Sequence, residues 1–315
     1  MRLLQERAKG RRVSTRFASA LRDLDVPDDA ALGLAVSGGP DSLALLVLAV
    51  EQRPGRVRAA TVDHGLRAEA QAEAAAVAAI CASLGVPHDI LTVQVQGSVQ
   101  AGARDARYRA LEQWCAERRL GWLATAHHAD DQAETLLMRL ARGAGLSGLA
   151  GVRSSRALGP DVRLIRPLLD WRKAELEAVV ARAGLTPALD PSNADPAYDR
   201  TAIRALLSAN ALLDPARLAH SAAHLAQAEE ALGWAVDRVM EERVIGDGFD
   251  PAGLPPEVVR QVLLRIFSRF GEAPRGPELA RLTAALHQGR AATLGRVKAM
   301  PGTRWTFTAA PPHRR

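Results

Sequence analysis

From Leu32 onward, short apolar runs alternate with longer stretches of helical character, and this alternation constrains the fold more than any other feature. The runs "LGLAV", "VRAATVDH", "HDILTVQV", "GWLATAHH" and "VRLIRPLL" each have strand length and are each followed by a segment suited to a helix. Examples are "DSLALLVLAVEQ", directly after the first run, and "WRKAELEAVVARAG", after the last. Strands separated by helical crossovers must pair in parallel, and a parallel sheet needs cover on both faces. The expected class is therefore α/β, a doubly wound parallel sheet. The pattern stops at "DPSNADPAYDR", a polar, proline-bearing loop. Beyond Pro215 the sequence suggests helices without obvious strands, and "VKAMPGTRWTFTAAPP" near the end suits a short hairpin or a surface trail. The expected division is a basic N-terminal extension over 1–29, an α/β domain over 30–212 and a small helical domain over 213–315.

In such a sheet, ligands bind at the carboxyl ends of the strands. The first strand ends in "SGGPDS", Ser37 to Ser42. Gly38 and Gly39 allow a sharp turn and close approach of backbone amides to an anion, Ser37 and Ser42 offer hydroxyls, and a helix is expected to start near Asp41, after Pro40. The helix that follows directs its positive end to the same place. Asp41 would repel a bare phosphate, so it fits the loop only with Mg²⁺ between carboxylate and phosphate oxygens. An ordinary strand-to-helix turn with Asp41 as its cap is the competing interpretation. A Walker lysine is excluded, because the chain has no lysine between Lys9 and Lys173. "GAGLSG" at Gly143 has dinucleotide-site spacing but follows a helix, the wrong context for that motif.

The 41 lysines and arginines outnumber the acids and give a net charge of +6, which suits a polyanionic partner. The two cysteines, Cys81 and Cys115, make no metal or disulfide pattern. No apolar run is long enough to span a membrane, and the basic N-terminus lacks the apolar core of a signal peptide. A cytoplasmic protein is expected.

"SGGPDS" resembles the pyrophosphate-binding loop of the PP-loop ATP pyrophosphatases, which cleave ATP between the α and β phosphates. "VDHGLR", "ARDARYRAL", "ATAHHADDQAETLLMRLARGAGLSGLAG", "RPLL" and "DPSNADPAYDRTAIR" follow in the order found in one branch, the tRNA(Ile)-lysidine synthetases. The resemblance covers about residues 30 to 210. It implies an adenine nucleotide α-hydrolase-like fold, ATP and Mg²⁺ as cofactors, and two substrates: free L-lysine and tRNA(Ile) with a CAU anticodon. It implies that an oxygen of the wobble cytidine takes AMP from ATP and that lysine then displaces it. Ser37 to Ser42, with Asp63 and His64, would hold ATP. Arg104 and Arg107 would lie near the activated base and α-phosphate. Asp131 and Glu134, three apart on a helix, would hold lysine; a solvated acidic helix start is the plainer interpretation of that pair. Asp190, Asn193, Asp195, Arg200 and Arg204 would face the tRNA or shape the loop.

Thr201 stands where the family usually has asparagine, and the chain is short beside members with a further C-terminal domain. The oligomeric state, a homodimer included, is left open. The nearest rival on the same fold is tRNA 2-thiolation, which needs reactive cysteines that the pattern here does not offer. A non-catalytic RNA-binding protein is the rival from another class.

Overall fold

In a computed structural model the described residues are 2–63, 68–93, 99–188 and 199–310. The chain forms two compact units, Met1–Ala226 and Gln227–Arg315.

The first unit is built on a six-stranded sheet in the order β3-β2-β1-β4-β6-β5. These are β1 (Leu32–Ala35), β2 (Val57–Asp63), β3 (His88–Thr92), β4 (Trp122–Ala124), β5 (Ser155–Ala157) and β6 (Arg163–Ile165). The first four and β6 pair in parallel, and β5 adds an antiparallel edge. Helices α2 (Pro40–Gln52), α3 (Ala68–Ser83), α4 (Val99–Glu117), α5 (Ala129–Ala141) and α7 (Lys173–Arg182) follow β1, β2, β3, β4 and β6. The doubly wound expectation holds. Strand order reverses between β1 and its neighbours β2 and β4, and that switch point opens a crevice at the strand ends.

Burial explains the apolar strands. One core face contains Leu32, Leu34 and the nearly all-apolar α2, together with Val179 of α7. The other contains Leu111, Trp114 and Cys115 of α4 with Leu123 and Leu164. Gly33 in β1 is required by close packing, because a Cβ there would meet the Trp114 ring at 2.9 Å. The N-terminal segment forms α1 (Arg2–Asp23), whose Phe17 and Leu21 are buried in the first core. Arg16 fixes it by ion pairs to Asp170 and Glu175 and lies 4.4 Å from the Trp171 ring centroid.

Helix α6 (Leu146–Leu149) begins inside "GAGLSG", which follows helix α5 and not a strand. Helices α8 (Asp199–Ala209) and α9 (Pro215–Arg243) follow. The division of the chain lies inside α9, whose Ala219 and Ala222 are buried, and so residues 213–226 belong with the first unit. A boundary inside a helix gives no composition signal, which is why the sequence suggests 212 instead.

The second unit has the expected helices, α10 (Pro256–Arg269) and α11 (Gly276–His287), and a five-stranded antiparallel sheet in addition. The expected hairpin is β10 (Val297–Met300) with β11 (Trp305–Ala309). Strands β7 (Val244–Ile245), β8 (Gly248–Phe249) and β9 (Ala292–Leu294) extend it. Strands of two or three residues show no periodicity of their own. Phe249, Phe267, Trp305 and Phe307 close this second core. Among the described residues no helix is long and apolar enough to cross a membrane.

Candidate active site

A cleft of about 970 Å³ lies at the carboxyl ends of β1, β2 and β4. Ser37, Gly39, Pro40, Asp41 and Ser42 line it from the β1–α2 loop, and Asp63 lines it from the end of β2. Arg104 and Arg107 reach it from α4, Asp131 and Glu134 from α5, and Arg200 and Arg204 from α8. These candidates, scattered over some 170 positions of sequence, converge on one cavity. His64, Asp190, Asn193 and Asp195 lie outside the described residues.

The two loop glycines do different work. Gly38 has φ +87°, a conformation costly for any residue with a Cβ, and its carbonyl accepts a bond from the Ala188 amide at 2.9 Å. Gly39 has an ordinary φ of −70° and caps α2; the space beside it is open, with Ser37 Oγ 3.8 Å from where a Cβ would stand. Ser42 is the internal fastener. Its hydroxyl accepts from the Ser37 amide at 3.1 Å and donates to the Gly39 carbonyl at 3.0 Å. Its single proton is thereby used within the loop, so Ser37 is the donor in the 3.3 Å contact between the two hydroxyls and turns to a ligand only by giving up that bond.

His128 is not among the site residues that the sequence suggests. It stands before α5, buried, with Asp41, Asp130 and Asp131 carboxylates at 3.5–3.6 Å from its ring nitrogens. Burial opposes its charge, but the three acids outweigh burial and raise its pKa to about 10. An imidazolium here offsets the acids that crowd the loop. Its neighbour His127 goes the other way: burial drives its pKa well below 6.5, Asp131 opposes this, and Arg166, Arg104 and Arg200 reinforce it. Asp131 Oδ2 also accepts the His128 amide at 3.1 Å, an N-terminal helix cap. The only sequence signal for this hub is the placement of "HH" just before "ADD".

Asp130, which also lines the cleft, receives the Arg172 guanidinium and accepts the Lys173 amide at 2.9 Å. Glu134 is 4% exposed and faces α8. Its Oε1 receives Arg204 Nε at 2.6 Å, and Arg200 Nε lies 3.7 Å from Oε2. Asp131 and Glu134 thus share the cleft wall but have different immediate partners.

One oxygen of Asp41, Oδ1, is buried without a hydrogen-bond partner. An orphaned carboxylate oxygen beside a phosphate loop fits Mg²⁺, which takes one or two protein carboxylates and completes its shell with phosphate and water. No cage of three or more ligands occurs among the described residues, and Mg²⁺ bound with a nucleotide needs none. The two cysteines are buried in separate cores, and burial raises their thiol pKa values to about 11 for Cys81 and about 12 for Cys115.

A glycine turn, an anion-ready helix start and an acidic residue at the switch point of a parallel sheet define a PP-loop nucleotide-binding protein. The family model for the PP-loop domain matches residues 11–210. Over most of its length the chain is similar to proteins named tRNA(Ile)-lysidine synthase. That of Novosphingobium aromaticivorans is 48% identical, over 89% of this chain and 89% of the relative. That of Zymomonas mobilis is 44% identical, over 93% and 92%. The chain belongs to the tRNA(Ile)-lysidine synthase family of PP-loop proteins. Among solved structures, the U34-tRNA thiolase NcsA from Methanococcus maripaludis aligns with a TM-score of 0.56 at 19% identity. That alignment covers 75% of this chain and 80% of that one and shows the shared fold.

Proposed function

We propose that the protein joins free L-lysine to C2 of the wobble cytidine of tRNA(Ile) with a CAU anticodon, consuming ATP and releasing AMP and pyrophosphate. The observation that carries this reading is the convergence of the phosphate loop, Arg104 and Arg107, and the Asp131–Glu134 wall on one cleft. Family membership supports it, as do the names of the relatives.

The cytidine O2 attacks the α-phosphorus, and the bond to the β-phosphate oxygen breaks to release pyrophosphate. The ε-amine of lysine, having given up a proton, attacks C2, and O2 departs within AMP. Loop amides with the Ser37 hydroxyl orient the pyrophosphate half of ATP, and Asp63 lies on the nucleotide side. Mg²⁺, held by Asp41, would neutralise phosphate charge when bound. Arg104 and Arg107 have guanidinium groups suited to the α-phosphate and the adenylated base. Asp131 and Glu134 hold the lysine ammonium. Arg200 and Arg204 steady Glu134 from α8 while lining the side where RNA enters. The helices and sheet after residue 213 supply further contacts to the tRNA body.

The test is mass analysis of nucleosides from tRNA(Ile) transcript incubated with ATP and lysine. Lysidine is expected only when all three are present; its absence would refute the reading. A thiolated product is not favoured, because the two thiols are buried and apart.

A further inference from the structure

Tyr108, on α4, lines the cleft, and three guanidinium groups surround its side chain. Arg104 lies 5.4 Å from the ring centroid and Arg156, from edge strand β5, lies 4.8 Å from it. Arg166, next to the end of β6, is 3% exposed and interacts with the phenol oxygen. Arg104 and Arg156 are exposed. Among the described residues no carboxylate forms an ion pair with any of the three, whereas most other arginines near the cleft have an acidic partner. The side-chain Nε of Arg166 is buried with no hydrogen-bond partner. Three clustered, uncompensated cations repel one another, and an anion relieves that repulsion.

We propose that Arg156 is a binding residue for the RNA substrate: with Arg104 and Tyr108 it forms a cationic shelf for a backbone phosphate of the anticodon loop. This rests on the tRNA reading above. Position separates Arg156 from the ATP site, and Arg104, which lines the cleft, stands between the two. Arg156 sits three strands from β1, through β4 and β6, a lateral distance of roughly 14 Å at ordinary strand spacing. A triphosphate seated in the β1–α2 loop does not extend that far, whereas a polynucleotide with one base in the cleft places its next phosphates outside it. Arg156 pairs with Leu164, the middle residue of β6, and its guanidinium reaches the cleft through Tyr108, which lines it. The Tyr108 ring holds both guanidinium planes in place through cation–π contact.

The experiment is filter binding of tRNA(Ile) transcript across a salt series, with the KM for the same tRNA alongside. Arg156→Gln is expected to weaken binding about fivefold at 0.1 M salt and to reduce the slope of log K against log salt by about 0.7, the value for one single-stranded phosphate contact. Arg156→Lys is expected to keep the slope, since a point charge suffices. Arg182→Gln, an exposed arginine on α7, controls for net charge and is expected to leave the slope unchanged. An unchanged slope in Arg156→Gln, an equal loss in Arg182→Gln, or failure of Arg156→Lys to restore the slope would each overturn the proposal. Binding is measured without turnover. A wild type that binds tRNA but makes no lysidine would therefore sink the functional reading and leave the shelf to be judged by its slope.

Discussion

Arg204 Nε lies 2.6 Å from Glu134 Oε1 and joins α8 to α5 across 70 positions of sequence. The carboxylate is buried and the guanidinium about 39% exposed. Glu134 is therefore both a wall of the proposed lysine site and the anchor of α8. Glu134→Ala is expected to retain pyrophosphate release with tRNA while the KM for lysine rises ten- to a hundredfold, the loss of about 1.5–3 kcal/mol expected for a charge-assisted contact. A lysine titration that follows pyrophosphate and lysidine together checks this. Loss of pyrophosphate release at every lysine concentration would move Glu134 to the ATP site. Arg204→Ala gives the complementary test, because it removes the 2.6 Å contact and leaves the carboxylate in place with Arg200 alone.

Asp41 has one buried oxygen without a partner and the other 3.5 Å from His128 Nε2. Asp41→Asn keeps the shape and removes the charge. It is expected to lower pyrophosphate release by at least about a hundredfold, a loss of roughly 3 kcal/mol, and to leave tRNA affinity within twofold or so. Release at the wild-type rate would contradict a metal role for Asp41.

The two constrained glycines separate stability from chemistry. Gly33→Ala drives a Cβ against the Trp114 ring and is expected to cost about 1–3 kcal/mol of stability with little effect on the KM for ATP. Gly38→Ala meets both a positive φ and Val77 at 3.0 Å, and it is expected to raise the KM for ATP sharply. Thermal melts and ATP titrations on both variants decide the matter; similar ATP behaviour in the two would count against the loop assignment.

Cys81 and Cys115 are fully buried with raised thiol pKa values. At pH 8 a thiol reagent is expected to label the native protein slowly and the denatured protein at both positions. The double variant Cys81→Ala with Cys115→Ala should retain lysidine formation if folded. Loss of activity in the folded variant would reopen the sulfur-transfer alternative.

Asp89 gives a pH-dependent contribution to stability remote from the cleft. Partial burial would raise its pKa, but hydrogen bonds from Trp114 Nε1 and Arg118 outweigh this and hold it below 3.8. A depressed folded pKa means stability that is present above the unfolded value and lost as pH falls through the folded one. The stability gap between wild type and Asp89→Asn should therefore be widest above pH 5 or so and narrow below about pH 4. A gap independent of pH would show that packing at Trp114, and not the charge, matters.

The sequence by itself determined the parallel sheet, the loop at its first strand and the motif order that marks the family. Each of these is a local pattern: an apolar run, a glycine pair before a helix, a carboxylate pair one helical turn apart. Only the tertiary structure decided what those residues face. Glu134 meets Arg204, His128 gathers Asp41, Asp130 and Asp131, and Arg156 stands beside Tyr108. The small strands β5, β7, β8 and β9 likewise exist because neighbouring strands complete their hydrogen bonds. Periodicity and capping act over a few residues and leave a trace in the sequence. Charge pairing and burial act across space, between segments whose separation along the chain carries no record of the contact.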